Sequence, residues 1–216
     1  MGARTAERSR DAERSRVAIL EAAADCFSKH GYDGASLNEI GAAAGLSRGT
    51  PSYFFGSKEQ LYVEVLDRAF SARQAATKAA FEPVHAWCEG DDGVDALRDA
   101  LVKAAADYIR FLVENPRFVQ LVMREELSGG RRMAARTEAS TAMHDAFAAL
   151  RHRADRRGLR RFKVDDAVLV FVALTFAPVS YRNTLMRAVD RDLARPAAAR
   201  KHAQLVVDQL MHLLVP

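Results

Sequence analysis

The chain has 216 residues, of which 49% are hydrophobic and 28% charged, and its formal net charge is +4. This composition is typical of one large or two small globular domains, and it excludes a largely disordered chain. Cys26 and Cys88 lie far apart in sequence, which excludes a disulfide framework and fits a reducing compartment. The longest apolar stretch, residues 167–179, is too short to span a bilayer. The sequence therefore predicts a soluble, cytoplasmic protein.

The positive charge is distributed unevenly along the chain. Residues 1–58 contain eight Lys/Arg and seven Asp/Glu, whereas residues 151–163 contain seven basic residues and one acidic residue. That basic stretch contributes +6, so the rest of the chain carries −2 (+4 minus +6). The net charge is therefore only a weak indication of an anionic partner such as nucleic acid. We interpret residues 151–163 as a solvated loop, with a secondary anion site as the alternative.

The composition also favours helices. Alanine, which has the highest helix propensity, occurs 40 times, whereas isoleucine occurs three times. The sequence contains no alternating strand pattern and no internal repeat. It therefore predicts an all-α fold of about nine helices.

Capping residues mark the first helices. A helix that includes residues 17–30 is predicted to end at Gly31. Ser36 and Glu39 form a capping box, which predicts a short helix over 37–44. Gly45 is expected to end that helix in the left-handed conformation.

Two further serines are predicted to begin helices. Ser47 is expected to cap a helix from Arg48 to about Phe54, with Pro51 in its first turn. Ser57 and Gln60 form a second capping box, which predicts a helix from Lys58 to about Ala80.

The remaining chain is also predicted to be helical. Residues 83–93 are expected to form a loop because of their Pro, Gly and Asp content. The later helices are predicted over 94–113, 116–127, 133–152 and 165–187, the last adjusted at Pro178, and from Pro196 to near the C-terminus. The predicted division is an N-terminal three-helix domain over 1–58 and a C-terminal helical domain over 59–216.

The predicted helices within residues 19–66 and the turn Gly45-Leu46-Ser47 have the layout of a helix-turn-helix, whose second helix enters the DNA major groove. This stretch also contains a series of short elements in a fixed order: Gly31-Tyr32, Ala35-Ser36, Ile40-Gly41, Ala44-Gly45-Leu46-Ser47, Tyr53-Phe54-Phe55, Lys58 and Leu61. In the identity and order of these elements, residues 19–66 closely resemble the N-terminal domain of TetR-family (tetracycline-repressor-like) regulators.

The sequence departs from the family pattern at two places. Gly41 replaces the commoner alanine, which is expected to loosen the second helix slightly. Pro51-Ser52 occupies the place of a common Leu-Tyr pair, so a tyrosine that often contacts phosphate in the family is Ser52 in this chain.

The resemblance implies a set of DNA-binding residues. Arg48, at the predicted start of the recognition helix, suits either a bidentate contact with guanine or a phosphate contact. Lys58 opposes the dipole of its own helix, which favours a phosphate contact over a role in helix stability. The predicted DNA-binding residues are Ser36, Ser47, Arg48, Gly49, Thr50, Ser52, Tyr53, Phe54 and Lys58.

The C-terminal part is predicted to dimerise and to bind an effector. The helix over 165–187 is apolar almost all round, so one face can meet its own domain and the other a second copy. The predicted interface residues are Val168, Val172, Phe176, Leu205, Leu210 and Leu213. The family also implies a small, largely apolar effector, for which the candidate residues are Tyr108, Phe111, Met123, Met143, Phe147, Phe171 and Arg182.

The resulting hypothesis is a ligand-responsive repressor that binds a palindromic operator as a homodimer, with recognition helices about one DNA turn apart. The effector would favour a conformation in which the helix over 58–80 has shifted. The alternatives are a ligand-independent architectural DNA-binding protein and a small helical enzyme. No cofactor or metal is predicted, since His85 and Cys88 lack a second ligand pair and no catalytic motif is present.

Overall fold

The computed structural model describes residues 2–133 and 141–215, with side chains for 7–133 and 142–215. These ranges contain ten α-helices and one short 3-10 helix and no strand, so the all-α prediction is confirmed. The helices are α1 (Gly2–His30), α2 (Leu37–Ala43), α3 (Thr50–Phe55), α4 (Lys58–Glu89), α5 (Val94–Glu114), α6 (Pro116–Leu127), α7 (Thr141–Arg153), α8 (Val164–Ser180), α9 (Leu185–Ala188) and α10 (Pro196–Leu214).

The predicted caps of α2 and α4 are present. The Ser36 Oγ accepts a hydrogen bond from the backbone N–H of Glu39 at 3.2 Å, and the Glu39 carboxylate accepts from the Ser36 backbone at 3.0 Å. Ser57 and Gln60 make the equivalent pair at 3.1 and 2.9 Å. Gly45 has a φ of +70°, which places it in the left-handed region as predicted.

Residues 83–93 were expected to form a loop, but α4 continues through Pro83 to Glu89. The reason is the burial of Val84, Trp87 and Cys88, which continue one apolar helix face beyond the proline. Burial of this face outweighs the loss of one backbone donor at Pro83. The loop is therefore confined to residues 90–93.

The prediction of one helix over 165–187 was also wrong, because α8 ends at Ser180 and a turn separates it from α9. Pro178 has no N–H to donate to the carbonyl of Leu174, four residues before it. The Nε2 of the buried His202 lies 2.8 Å from that carbonyl oxygen and donates to it instead. Part of the helix expected over 133–152 lies outside the described residues; Met133 itself is in a turn.

The Cα positions divide into two compact units, residues 1–70 with 120–136 and residues 71–119 with 137–216. The functional division predicted at residue 58 stays a prediction. The boundaries of the compact units differ from that division. Helix α4 contributes residues to both units, and much of α6 belongs with the N-terminal helices.

The first unit is built around the N-terminal helices. Its core contains the fully buried Ile19, Phe27, Ile40 and Tyr62. The Tyr62 hydroxyl donates to Oε1 of the buried Glu125 at 2.7 Å. Burial, and secondarily this hydrogen bond, raise the pKa of Tyr62, so the phenol stays protonated.

The second unit has an aromatic interior. Helix α5 packs against α8 and α10, and α7 packs against α8. The Phe81 ring centroid lies 5.7 Å from that of Phe147 and 5.2 Å from that of Phe171. Tyr108 lies 5.7 Å from Phe171, so the rings form one cluster.

Arg157, inside the basic stretch 151–163, joins that stretch to the end of α4. Its guanidinium donates to the carbonyl oxygens of Gly90 at 2.6 Å and Asp92 at 2.5 Å. The same group lies 4.3 Å from the ring centroid of Trp87. At least this member of the stretch is therefore part of the fold rather than a solvated charge.

We expect Arg157→Ala to lower the free energy of unfolding by about 1–3 kcal/mol, because charged hydrogen bonds and a cation–π contact are lost. Chemical denaturation measures this loss. The matched control is Arg156→Ala, since Arg156 is exposed and forms no ion pair within residues 2–133 and 141–215. Equal stability of the two variants would contradict the structural role of Arg157.

Candidate nucleic-acid interface

Helices α2 and α3 are joined by the tight turn of a helix-turn-helix. The Leu46 N–H donates to the carbonyl of Gly41 at 2.9 Å, which folds the turn back on α2. A β-carbon on Gly41 would lie 3.1 Å from the Ser47 carbonyl oxygen and 3.3 Å from Pro51 Cδ. The two departures from the family pattern therefore lie against each other, because the absence of a side chain at Gly41 leaves room for Pro51.

The recognition helix begins two residues later than predicted. Its N-cap is Gly49, and α3 runs from Thr50 to Phe55, so Arg48 lies in the preceding turn. Ser47 does not cap the helix as expected: its Oγ lies 2.7 Å from the Thr50 Oγ1, and the Thr50 N–H donates to the Ser47 carbonyl at 3.0 Å. This extra turn precedes the helix, and Pro51 is in the first helical turn as predicted.

Most predicted DNA-binding residues lie together on an exposed surface, which we call the recognition surface: Ser47, Arg48, Gly49, Ser52 and Tyr53, with Thr50 half-buried at its edge. Tyr53 is 84% exposed, which is high for an aromatic residue. Arg48 has no carboxylate partner in the described part of the chain. An unpaired cation and several hydroxyl groups at the start of a helix suit contacts with phosphates and base edges.

Phe54 and Phe55 pack beneath the recognition surface, between it and the core of the first unit. Phe54 is half-buried and packs against the core, with its ring centroid 5.3 Å from that of Tyr53. Phe55 is buried, and the guanidinium of Arg16 lies 4.6 Å from its ring centroid. Arg16 also pairs with Glu64, so this N-terminal arginine is anchored to the helical core.

The structure gives Ser36 and Lys58 roles within the chain. The Ser36 Oγ donates to the Glu39 carboxylate at 2.7 Å, in addition to capping α2. The Lys58 amino group donates to the Ala35 carbonyl at 3.0 Å and lies 4.4 Å from the Tyr32 ring centroid. Lys58 therefore positions the start of α4 against the start of α2, and its contact with phosphate stays a prediction.

We expect Lys58→Met to lower the free energy of unfolding by about 1–2 kcal/mol, because it removes the hydrogen bond to Ala35 and the cation–π contact. Denaturation followed by circular dichroism measures this. A variant as stable as the parent would contradict the positioning role. If Lys58 also contacts phosphate, the salt dependence of DNA binding should fall by about one unit per half-site in this variant.

The candidate effector residues fall into three places. Tyr108, Met143, Phe147 and Phe171 are buried in the second unit, and Phe111 is half-buried, with its ring centroid 6.4 Å from that of Tyr108. Met123 belongs to the other unit. Arg182 is exposed and lines a separate pocket beside α9.

Sequence reasoning missed Arg73, which is buried in the second unit and hydrogen-bonded to Tyr108. Burial raises the pKa of Tyr108, whereas the Arg73 charge and hydrogen bond lower it by less. Arg73 lies among alanines on a long helix, where an arginine is ordinarily exposed to solvent. The sequence therefore does not indicate that Arg73 is buried or that it contacts Tyr108.

The predicted interface residues are distributed between the core and an open groove. Leu210 is fully buried in its own unit, which contradicts its assignment to an exposed interface. Val168, Val172, Phe176 and Leu213 are half-buried, and Leu205 is 39% exposed. The groove that runs between α8 and α10 is lined by Leu169, Val170, Ala173, Leu174, Leu205 and Leu213, among others.

Sequence reasoning also missed Leu169, which is 67% exposed. It lies one residue after Val168, so the most exposed apolar side chain of α8 is a fraction of a turn away from that predicted interface residue. The described residues include no group of three or more His, Cys, Asp or Glu placed to hold a metal, and within them no helix is both long and apolar enough to cross a membrane.

Two family models match the chain. The model for bacterial regulatory proteins of the tetR family matches residues 19–65, and the model for the tetracyclin repressor-like C-terminal domain matches residues 98–210. The chain therefore belongs to the TetR family of DNA-binding transcriptional regulators, which are not enzymes. The resemblance of residues 19–66 to this family is confirmed.

Individual relatives agree with this assignment. The HTH-type transcriptional repressor NicS of Pseudomonas putida is 30% identical over 197 residues, which is 88% of each chain. The HTH-type transcriptional regulator RutR of Escherichia coli is 41% identical over 75 residues, or 35% of each chain. A crystal structure of a TetR-family regulator from Mesorhizobium loti has the same fold, with a TM-score of 0.68 at 20% identity over 95% of this chain and 98% of that one.

Proposed function

We propose that this chain is a repressor that binds a palindromic operator as a homodimer and is released by a small, largely apolar effector. The observation that carries the proposal is the recognition surface, where Arg48 and Tyr53 are exposed at the start of α3. A single recognition helix has little affinity for DNA, so two copies related by a two-fold axis are needed.

The groove between α8 and α10 supports dimerisation. Leu169, Ala173 and Leu205 are exposed, and few charged side chains interrupt the groove. Exposed apolar patches of this kind mark interaction surfaces. Tyr181 and Leu185 extend the exposed apolar residues beyond the end of α8. Pairing α8 and α10 with the same helices of a second copy would cover this surface.

The aromatic interior of the second unit supports the effector site. The rings of Phe111 and Phe171 lie beside the Tyr108 ring, and the polar groups of the Arg73–Tyr108 pair can orient a ligand. Because Phe147 and Phe171 are fully buried, a ligand that enters among them must separate the rings. Such a ligand binds a different conformation from the one described, as a switch requires.

Helix α4 is the proposed connection, since it contributes residues to both units. A full switch requires the effector to prefer the released conformation by about 5.5 kcal/mol.

Mobility-shift assays with DNA from upstream of the chain's own gene test this function. We expect a discrete complex that survives an excess of random competitor DNA, because base contacts add specificity to phosphate contacts. Indiscriminate binding would favour the architectural alternative, and no binding at low salt would contradict the proposal. A compound that dissociates the protein–DNA complex in this assay identifies the effector.

A further inference from the structure

A second, smaller pocket lies in the second unit where the connector between α8 and α10 folds over the end of α8. Its volume is about 290 Å³, at the lower end of the range for small-molecule sites. Val179, Met186 and Leu193 are buried and form its apolar floor. None of the rings of the aromatic interior lines it. It is therefore a separate cavity within this unit.

Three arginines line the same pocket: Arg182, Arg187 and Arg191. All three are exposed, and none forms an ion pair or side-chain hydrogen bond within the described part of the chain. Like charges gathered at one opening repel one another, and an anion bound among them would remove this repulsion.

The two lining carboxylates do not neutralise this charge. Asp192 is engaged locally, because it lies 3.6 Å from Arg195 Nε and accepts a hydrogen bond from the Ala194 N–H at 3.0 Å. Asp190 is then the one remaining carboxylate in the pocket lining, where three guanidinium groups are present. Asp190 also has a φ of +51°, which is rare for a residue with a side chain and bends the connector at the pocket.

We propose that this pocket binds a small organic anion, with a carboxylate held by the guanidinium groups and a short apolar body against Val179, Met186 and Leu193. Guanidinium groups bind carboxylates through two parallel hydrogen bonds, which gives both affinity and orientation. The cavity volume limits the body to a short chain or a single ring. Binding here goes beyond operator recognition, and its test involves no DNA.

The test uses hexanoate as the anionic probe and hexanamide as its neutral counterpart. The full chain is labelled at its six methionine methyl groups and titrated by NMR, with the Met186 signal assigned from Met186→Leu. We expect a saturable shift of the Met186 signal with a Kd of about 1 mM for hexanoate, at least about 10-fold weaker binding of hexanamide, and no shift of Met143 in the aromatic interior.

Arg187→Gln should weaken hexanoate binding by at least about 10-fold, whereas the matched control Arg156→Gln should leave it unchanged. The chemical shift of the buried Met143 in the absence of probe reports whether each variant is folded. Equal affinity for hexanamide, unchanged affinity of Arg187→Gln, a shift of Met143 instead of Met186, or no saturable shift up to about 50 mM would each overturn the proposal.

Discussion

Replacing Leu169 with glutamate is expected to abolish the proposed dimer and leave a monomer. The side chain is 67% exposed on α8 and lines the groove between α8 and α10. In the proposed dimer a carboxylate there would be buried against apolar residues without a partner of opposite charge. Losing the second half-site contact should weaken operator binding by about 10²–10⁴-fold. Sedimentation equilibrium and an operator titration measure the two effects.

Leu127→Glu is the matched control for the oligomeric state. Leu127 is 87% exposed and lies in the other unit, so the same change there should leave the mass of the assembly unaltered. A Leu169→Glu variant that sediments as the parent does would contradict the proposed interface.

Arg48→Ala is expected to weaken operator binding by about 10–100-fold, or about 1–3 kcal/mol, with no change in thermal stability. Arg48 is exposed in the turn before α3 and forms no ion pair within the residues described. The folded protein therefore loses nothing when the side chain is removed, and the DNA complex loses a cation beside the helix N-terminus.

The base preference of the variant separates two kinds of contact. If Arg48 binds guanine, specificity is relaxed at one base pair of each half-site; if it binds phosphate, affinity falls uniformly and the salt dependence weakens by about one unit per half-site. Arg156→Ala, which neutralises an exposed arginine of the basic stretch, should leave operator affinity unchanged. Unchanged affinity of Arg48→Ala would contradict the assignment of the recognition surface.

Much of the helical fold could be predicted because the signals are local. The capping boxes at Ser36 and Ser57 and the left-handed Gly45 depend on residues within one turn of each other. The errors occurred where tertiary contacts outweigh a local signal. Helix α4 passes Pro83 because its buried face continues to Trp87 and Cys88.

The candidate site divides in the same way. The order of the motif residues placed Arg48, Ser52 and Tyr53 in one region, and the structure exposes all three. The intramolecular role of Lys58 depends on the Ala35 carbonyl, 23 residues earlier in the chain, which no spacing rule identifies. The burial of Leu210 and Arg73 likewise depends on which helices pack together.

Selection of bound sequences from a random DNA library tests whether two copies of the chain bind a palindromic operator. We expect one enriched motif made of two inverted half-sites with centres about one helical turn apart, bound by two copies of the chain. Leu169→Glu and Arg48→Ala should each reduce the enrichment. A library that shows no enrichment, or a single half-site bound by one copy, would contradict operator binding by a homodimer.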